Sequence, residues 1–292
     1  MWNGPSTRRG RILLRVAFYS TVVLVVLPWV FSSLMVAPLP RQETRAPEPG
    51  FEELWLTSDG LRLRAWLSRG AGDQPAVVLT HGLGDSIESY ADLARRWVRR
   101  GHTALLVEMR AHGKSEGKHT TLGGLEKHDL EAGIDALRSR DLDRQGLILS
   151  GVSMGSVAVL LAAAGRSDLR AVLAEAPYDS FRETMAHHGQ LFYGLPRWVP
   201  LVPMSIAVAE WRAGFDADAI DSVAAARRIR APLLLIVDGV DPRMPEPVVR
   251  RILDAHPGPK RLWVAPGEGH AAGSLNEGYW PTVESFLAEN GL

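Results

Sequence analysis

Apolar and polar positions follow three different patterns along the chain. From Val16 to Ala37, 22 residues pass without a charge, rich in Val, Leu and Phe and broken only by Ser, Thr, Tyr and Pro28. A helix of that length crosses the ~30 Å hydrocarbon core of a bilayer, whereas buried helices of soluble proteins rarely lack every charge over such a run. Arg8, Arg9, Arg11 and Arg15 precede the run. Arg41 and Arg45 follow it together with Glu43 and Glu48. The positive-inside bias therefore predicts a cytoplasmic N-terminus and a main domain on the far side, periplasmic or otherwise extracytoplasmic. A cleaved signal peptide would share the basic start and apolar core. Against it stand the length of the run and Pro38, directly after the small-residue exit Val36-Ala37. Arg8-Arg9 is a weak twin-arginine signal, because Gly10 and Arg11 stand where such signals turn apolar. Residues 1–15 thus read as a cytoplasmic basic start and 16–37 as a transmembrane helix. Residues 38–50, with four prolines and four charged side chains, read as an extended linker holding the domain off the bilayer.

From Phe51 onward the pattern is short and punctuated. ELWLT and LRLRAWL flank Ser58-Asp59-Gly60 and predict an antiparallel hairpin with an Asp-Gly turn. AVVLT is a buried strand followed by HGLGDS and a helical pattern through Tyr90, Leu93 and Trp97. TALLVEM, a helix over about 124–140, GLILS, a small-residue helix over 154–164, AVLAEAP, PLLLIVD and RLWVA continue the alternation. Strand and helix in turn predict one α/β domain over 51–292, a mostly parallel sheet with helices on both faces. About 178–230 breaks the rhythm with Trp198, Trp211, several prolines and LVPMSIAVA. That stretch is too long for a simple connection and reads as an inserted helical cap; two ordinary helices packed on the sheet are the alternative.

Composition narrows the function. Lys plus Arg and Asp plus Glu both number 33, so no global field favours nucleic acid, and a nucleic-acid partner is disfavoured. Cysteine is absent, which removes thiol nucleophiles, disulfides and cysteine metal sites. No metal-binding HExxH or EF-hand spacing occurs, and no GxGxxG or P-loop follows a strand.

GVSMG, 151–155, follows the strand GLILS and opens a helix. Glycines on both flanks permit a tight strand-to-helix turn that lifts the Ser153 hydroxyl above the sheet edge, the place of a nucleophile. Serine needs a base to take its proton and return it to the leaving group. His270, in GEGH after the last strand, is the candidate; His81, His112, His187 and His188 are alternatives. The imidazole needs a carboxylate to fix its tautomer. Asp241, opening the DPRMP turn, is chosen over Asp238 nearer the strand end, and the choice stays open. The order Ser153, Asp241, His270 is that of α/β-hydrolases. An oxyanion requires preorganised N–H donors, which Met154 after the nucleophile and Leu83 in HGLG can supply, with His81 orienting the loop.

On HGLGDS, EMRAHGKSEG, GVSMG, VDGVDPRMP and GEGH the sequence resembles the α/β-hydrolase superfamily over Phe51 to Leu292. Within it, the chain is similar to bacterial hydrolases of the serine aminopeptidase and monoglyceride-lipase-like groups. The resemblance implies a triad at Ser153, Asp241 and His270, oxyanion donors at Leu83 and Met154, and no cofactor. Glu108 stands where these relatives usually carry Asp, Ala111 where they carry Gly, and Asp238 where they carry Gly before the acid. The expected activity is cleavage of a small or lipid-like acyl ester, with the membrane engaged through the N-terminal helix. A peptidase or amidase with the same triad and a non-catalytic membrane-tethered binding protein are the competing readings. Fold and triad do not name a substrate.

Overall fold

The computed structural model describes residues 8–39 and 44–292. The first seven residues of the basic start, and Pro40 to Glu43 of the expected linker, lie outside the described residues.

The chain begins with a helix, Arg8–Val36, whose most apolar window is only 6% buried. It consists of α1 (Arg8–Thr21), a π turn (Val22–Val26) and α2 (Leu27–Val36). Pro28 cannot donate to the carbonyl four residues back, and the widened turn sits just ahead of it. The helix starts eight residues before the uncharged run and takes the arginines into its first turns. α1 has no buried residue, while in α2 Pro28, Ser32, Met35 and Val36 are buried.

β1 (Glu52–Ser58) and β2 (Leu61–Ser68) form the antiparallel hairpin around the Asp-Gly turn. They lead into β3 (Ala76–Thr80), α3 (Ala91–Val98), β4 (Ala104–Val107), α4 (Glu126–Arg138), β5 (Leu147–Val152), α5 (Met154–Ala163) and β6 (Leu169–Glu175). α6 (Phe181–Tyr193), α7 (Leu201–Ala213) and α8 (Ser222–Ala226) fill the irregular stretch. β7 (Leu233–Val240), α9 (Glu246–Ala255), β8 (Lys260–Glu268) and α10 (Tyr279–Glu289) complete the chain. The eight strands lie in the order β1-β2-β4-β3-β5-β6-β7-β8. β2 joins β4 antiparallel, and every pairing from β4 through β8 is parallel. This is the sheet that the strand-helix alternation dictates, because each right-handed crossover returns over one face.

The parallel strands are uniformly apolar because both faces are covered. Val78, Leu105, Leu149 and Val172 face one core with α4, α5, α8 and α9. Val77, Leu106, Ile148 and Leu173 face the other with Trp97, Trp280 and Phe286 from α3 and α10. A third cluster lies beyond the C-terminal edge of the sheet, where Met35 and Val36 of α2 meet Phe181, Met185, Ile206 and Ala209 of α6 and α7.

That contact corrects the spacer expected over 38–50. The Val36 carbonyl accepts the Thr120 N–H at 3.0 Å, and Leu39 reaches the loop at Gly84. Arg45 N–H donates to Glu88 at 3.1 Å, the Arg45 carbonyl accepts from the buried Arg64 guanidinium, and Glu48 pairs with Arg95. The described parts of the segment lie along the domain, because the Leu39 side chain, the Arg45 backbone and the Glu48 carboxylate find partners on its surface.

Candidate active site

Three loops, after β3, β5 and β8, meet a fourth that carries Asp241 after β7, at the strand ends where open parallel sheets bind ligands. The first is the turn between β5 and α5. Ser153 has φ 51° and ψ −115°, a left-handed conformation that costs a side-chain-bearing residue strain and marks a functional constraint. Its N–H donates to the Glu175 carbonyl on β6 at 2.8 Å, which holds the turn. Both flanking glycines are required by close approach. A Cβ at Gly151 would meet the Gly155 carbonyl oxygen at 2.4 Å, and one at Gly155 would meet the His81 carbonyl oxygen at 2.6 Å. The motif thus lets β3, β5 and α5 approach closely enough to raise Ser153 at the edge.

The second loop carries HGLG. His81 is buried; its Nδ1 lies 2.8 Å from the Gly82 carbonyl and its Nε2 accepts the Met109 N–H at 3.1 Å. An Nε2 that accepts leaves the proton on Nδ1, which donates to Gly82. Burial, reinforced by neighbouring His112, lowers the His81 pKa to about 3, so the ring is neutral. His112 acts in parallel: its Nε2 accepts the Gly84 N–H at 3.1 Å, and its Nδ1 lies 2.8 Å from the Arg110 carbonyl. Two neutral imidazoles therefore tie the loop to residues 109–112 and hold Gly82 beside the nucleophile, 3.6 Å separating the Ser153 Cβ from where a Gly82 Cβ would stand. Leu83 and Met154, the sequence-derived oxyanion donors, both border the cavity that contains Ser153.

The third loop follows β8. His270 Nε2 is 2.8 Å from Ser153 Oγ, and its Nδ1 is 2.7 Å from Asp241 Oδ2. Asp241 is buried, and its other oxygen accepts the N–H groups of Arg243 at 2.9 Å and Met244 at 3.1 Å. Burial alone would raise its pKa. The hydrogen bond and charge of His270, with the two amides, outweigh that and hold it below the ordinary carboxylate value. Asp238 points elsewhere and accepts the Ala272 N–H at 3.1 Å. Beside it, burial pushes Glu175 up to about 7, opposed by the Ser274 amide and reinforced by Asp238. The structure thus brings Ser153, His270 and Asp241 into one hydrogen-bonded chain and keeps Asp238 out of it. His187 bonds to the Pro242 carbonyl at 2.8 Å; His188 borders the cavity, and burial lowers its pKa to about 4.

The cavity over Ser153 has a volume of about 550 Å³, within the ordinary range for ligand sites. Met185, His188 and Phe192 of α6 and Val202 of α7 roof it, so the irregular stretch stands over the site. Sequence reasoning missed two groups. One is Arg243 at the cavity and the loop-holding role of His112, named from sequence only as an alternative base; both depend on loop packing. The other is Phe31, Leu34, Met35 and Leu39, which also border the cavity although they lie more than a hundred residues before Ser153.

Residues 72–207 match the serine aminopeptidase S33 family model. Among solved structures, the Pyrococcus furiosus esterase Pf2001 superposes with TM-score 0.65 at 24% identity, over 87% of this chain and 98% of that one. The chain has the α/β-hydrolase fold. An uncharacterised protein of Bacillus subtilis is 29% identical over 215 residues, 72% of this chain and 70% of the relative. One of Mycobacterium tuberculosis is 26% identical over 299 aligned positions, 98% of this chain and 99% of the relative. The match to that second relative takes in the apolar helix as well as the catalytic-type domain. The family match spans the segment that carries HGLG and GVSMG, and the structural likeness gives the fold.

Proposed function

We propose that this protein is a serine hydrolase that cleaves acyl esters through an acyl-enzyme. The observation that carries the reading is the hydrogen-bonded chain Ser153 Oγ, His270 Nε2, His270 Nδ1, Asp241 Oδ2 at the floor of a cavity roofed by apolar side chains. In this mechanism His270 takes the Ser153 proton as Oγ attacks the ester carbonyl, and Asp241, ionised at neutral pH, stabilises the imidazolium. The amides of Leu83 and Met154 receive the oxyanion. Collapse expels the alcohol with the proton from His270. A water then repeats the sequence, His270 taking its proton, and releases the acid while Ser153 regains its own. Acyl ester is favoured over peptide because Phe31, Met35, Met185 and Phe192 give the cavity an extended apolar wall, beside the polar Asp85, Thr184, His188 and Arg243.

Location enters the same reading. The Arg8–Val36 helix is taken as a retained single-pass anchor. Arg8, Arg9, Arg11 and Arg15 place its start in the cytoplasm and the domain outside.

A fluorophosphonate probe tests the assignment. Labelling of the wild-type protein that vanishes in Ser153→Ala, with turnover of p-nitrophenyl esters far exceeding that of aminoacyl amides, is the expected result. Folded wild-type protein that takes up no probe would instead favour a binding protein, and faster amide turnover would favour a peptidase.

A further inference from the structure

The apolar helix does more than reach the domain. Its last turns are locked to the cap on one side and open into the cavity on the other. Arg212 of α7 donates to the hydroxyls of Ser32 and Ser33, both at 2.7 Å, and its guanidinium lies over Trp29 at 4.6 Å. Trp29 and Trp211 stand 6.0 Å apart, and Phe31 and Tyr193 meet edge to face at 5.1 Å. Ser32 and Val36 are fully buried, and Met35 nearly so. On the other side Phe31, Leu34, Met35 and Leu39 border the cavity over Ser153. Leu39 packs so closely on the HGLG loop that a Cβ at Gly84 would lie 2.5 Å from its Cδ1.

The length of the helix sets the depth of this contact. The uncharged stretch from Val16 to Val36 extends about 31 Å, close to the ~30 Å hydrocarbon core, so with Arg15 at the cytoplasmic interface the last turns, the part that meets the cap, lie at the outer one. Where it touches the helix the cap exposes large apolar side chains: Trp211 beside Trp29 is 75% exposed, and Tyr193 beside Phe31 is open together with its chain neighbours Leu191 and Phe192. Aromatic side chains in such numbers mark an interfacial belt, and exposed apolar surface continuous with a membrane helix fits a lipid surface rather than water.

We propose that the C-terminal turns of the helix form one wall of the acyl site, so that the working enzyme retains the helix and takes a long-chain acyl ester from the bilayer surface on which its cap rests. The inference rests on the acyl-ester reading above. Cleavage after Ala37 would remove Phe31, Leu34 and Met35 from the cavity and expose the cap face they cover, so a signal-peptide role is incompatible with it.

The test uses the full chain in phosphatidylglycerol–phosphatidylcholine nanodiscs, with active sites titrated by fluorophosphonate. The readout is kcat/KM for p-nitrophenyl laurate relative to p-nitrophenyl acetate, per titrated site. Leu34→Trp, which narrows the cavity from the helix side, is expected to lower that ratio about tenfold. Phe31→Ala, which widens it, is a second variant should the first fail to fold, and is expected to change the ratio several-fold. Ratios within twofold of wild type in a folded variant would overturn the proposal while leaving the hydrolase reading intact. A mature N-terminus at or after Pro38, read by mass spectrometry of the protein from its own membranes, would overturn it as well. Absence of labelling in the wild-type protein would remove the acyl-ester reading, and this inference with it.

Discussion

Asp238 and Asp241 are three residues apart, both buried, and their carboxylates face different partners. The Asp241 oxygens accept from the His270 ring and from two consecutive turn amides. Asp238 takes one backbone amide of the loop that carries the histidine. Asp241→Asn replaces an anionic acceptor with an amide and loses the stabilisation of the imidazolium. On the proposed mechanism it lowers kcat about 10⁴-fold. In Asp238→Asn the side-chain oxygen still accepts from Ala272, so the expected loss is about tenfold or less. Steady-state kinetics on one p-nitrophenyl ester, with circular dichroism confirming the fold, compares the two; equal losses would undo the assignment to Asp241. At this scale the sequence supplied residue types in the right order. It left the acid open, because strand periodicity does not say where the strand ends or which way a side chain in the following turn points.

The elements show why some motif positions have no freedom. β3, β5 and α5 pack so tightly at the turn that a Cβ at Gly155 would meet the His81 carbonyl oxygen at 2.6 Å, the Thr80 hydroxyl at 2.7 Å and the Thr80 carbonyl carbon at 3.1 Å. Backbone in a central strand cannot step aside. Gly155→Ala is therefore expected to destabilise the domain by about 2–3 kcal/mol and lower the melting temperature by roughly 5–10 °C. Thermal denaturation followed by circular dichroism measures this; an unchanged melting point would show that the approach is looser than described. Two of the three departures from the resembled family's pattern sit in the loop after β4. Ala111 has φ 61°, the left-handed region that explains why glycine is usual there. Glu108 in place of Asp accepts the N–H groups of Lys114 at 2.7 Å and Ser115 at 3.2 Å, so the loop stays closed. The hairpin, the buried strands and the helices between them were legible because each carries its own periodicity. The π turn ahead of Pro28 and the second imidazole holding HGLG, that of His112, were not, since they arise from contacts between segments.

Across the whole molecule the helix, the cap and the sheet edge enclose one cavity. The proposed orientation puts the arginine-rich start in the cytoplasm and residues 44–292 outside. Protease added to intact spheroplasts should therefore remove a C-terminal tag while sparing an N-terminal one, and the tagged protein should stay in the membrane through an alkaline carbonate wash. Protection of the C-terminal tag would reverse the topology, and release by carbonate would show that the helix does not span.

Taken alone, the amino-acid sequence determined the layer architecture, the membrane-length helix, and the serine and histidine brought together at the sheet edge. These follow from local rules: hydrophobic period, turn chemistry, and the glycines that a sharp strand-to-helix turn demands. Only the tertiary structure decided which aspartate meets the histidine, that the expected spacer lies along the domain, and that the end of the apolar helix borders the cavity. Each of those depends on where segments far apart in the chain come to rest, and that is fixed by packing and by partners for buried polar groups, neither of which any short stretch of sequence contains.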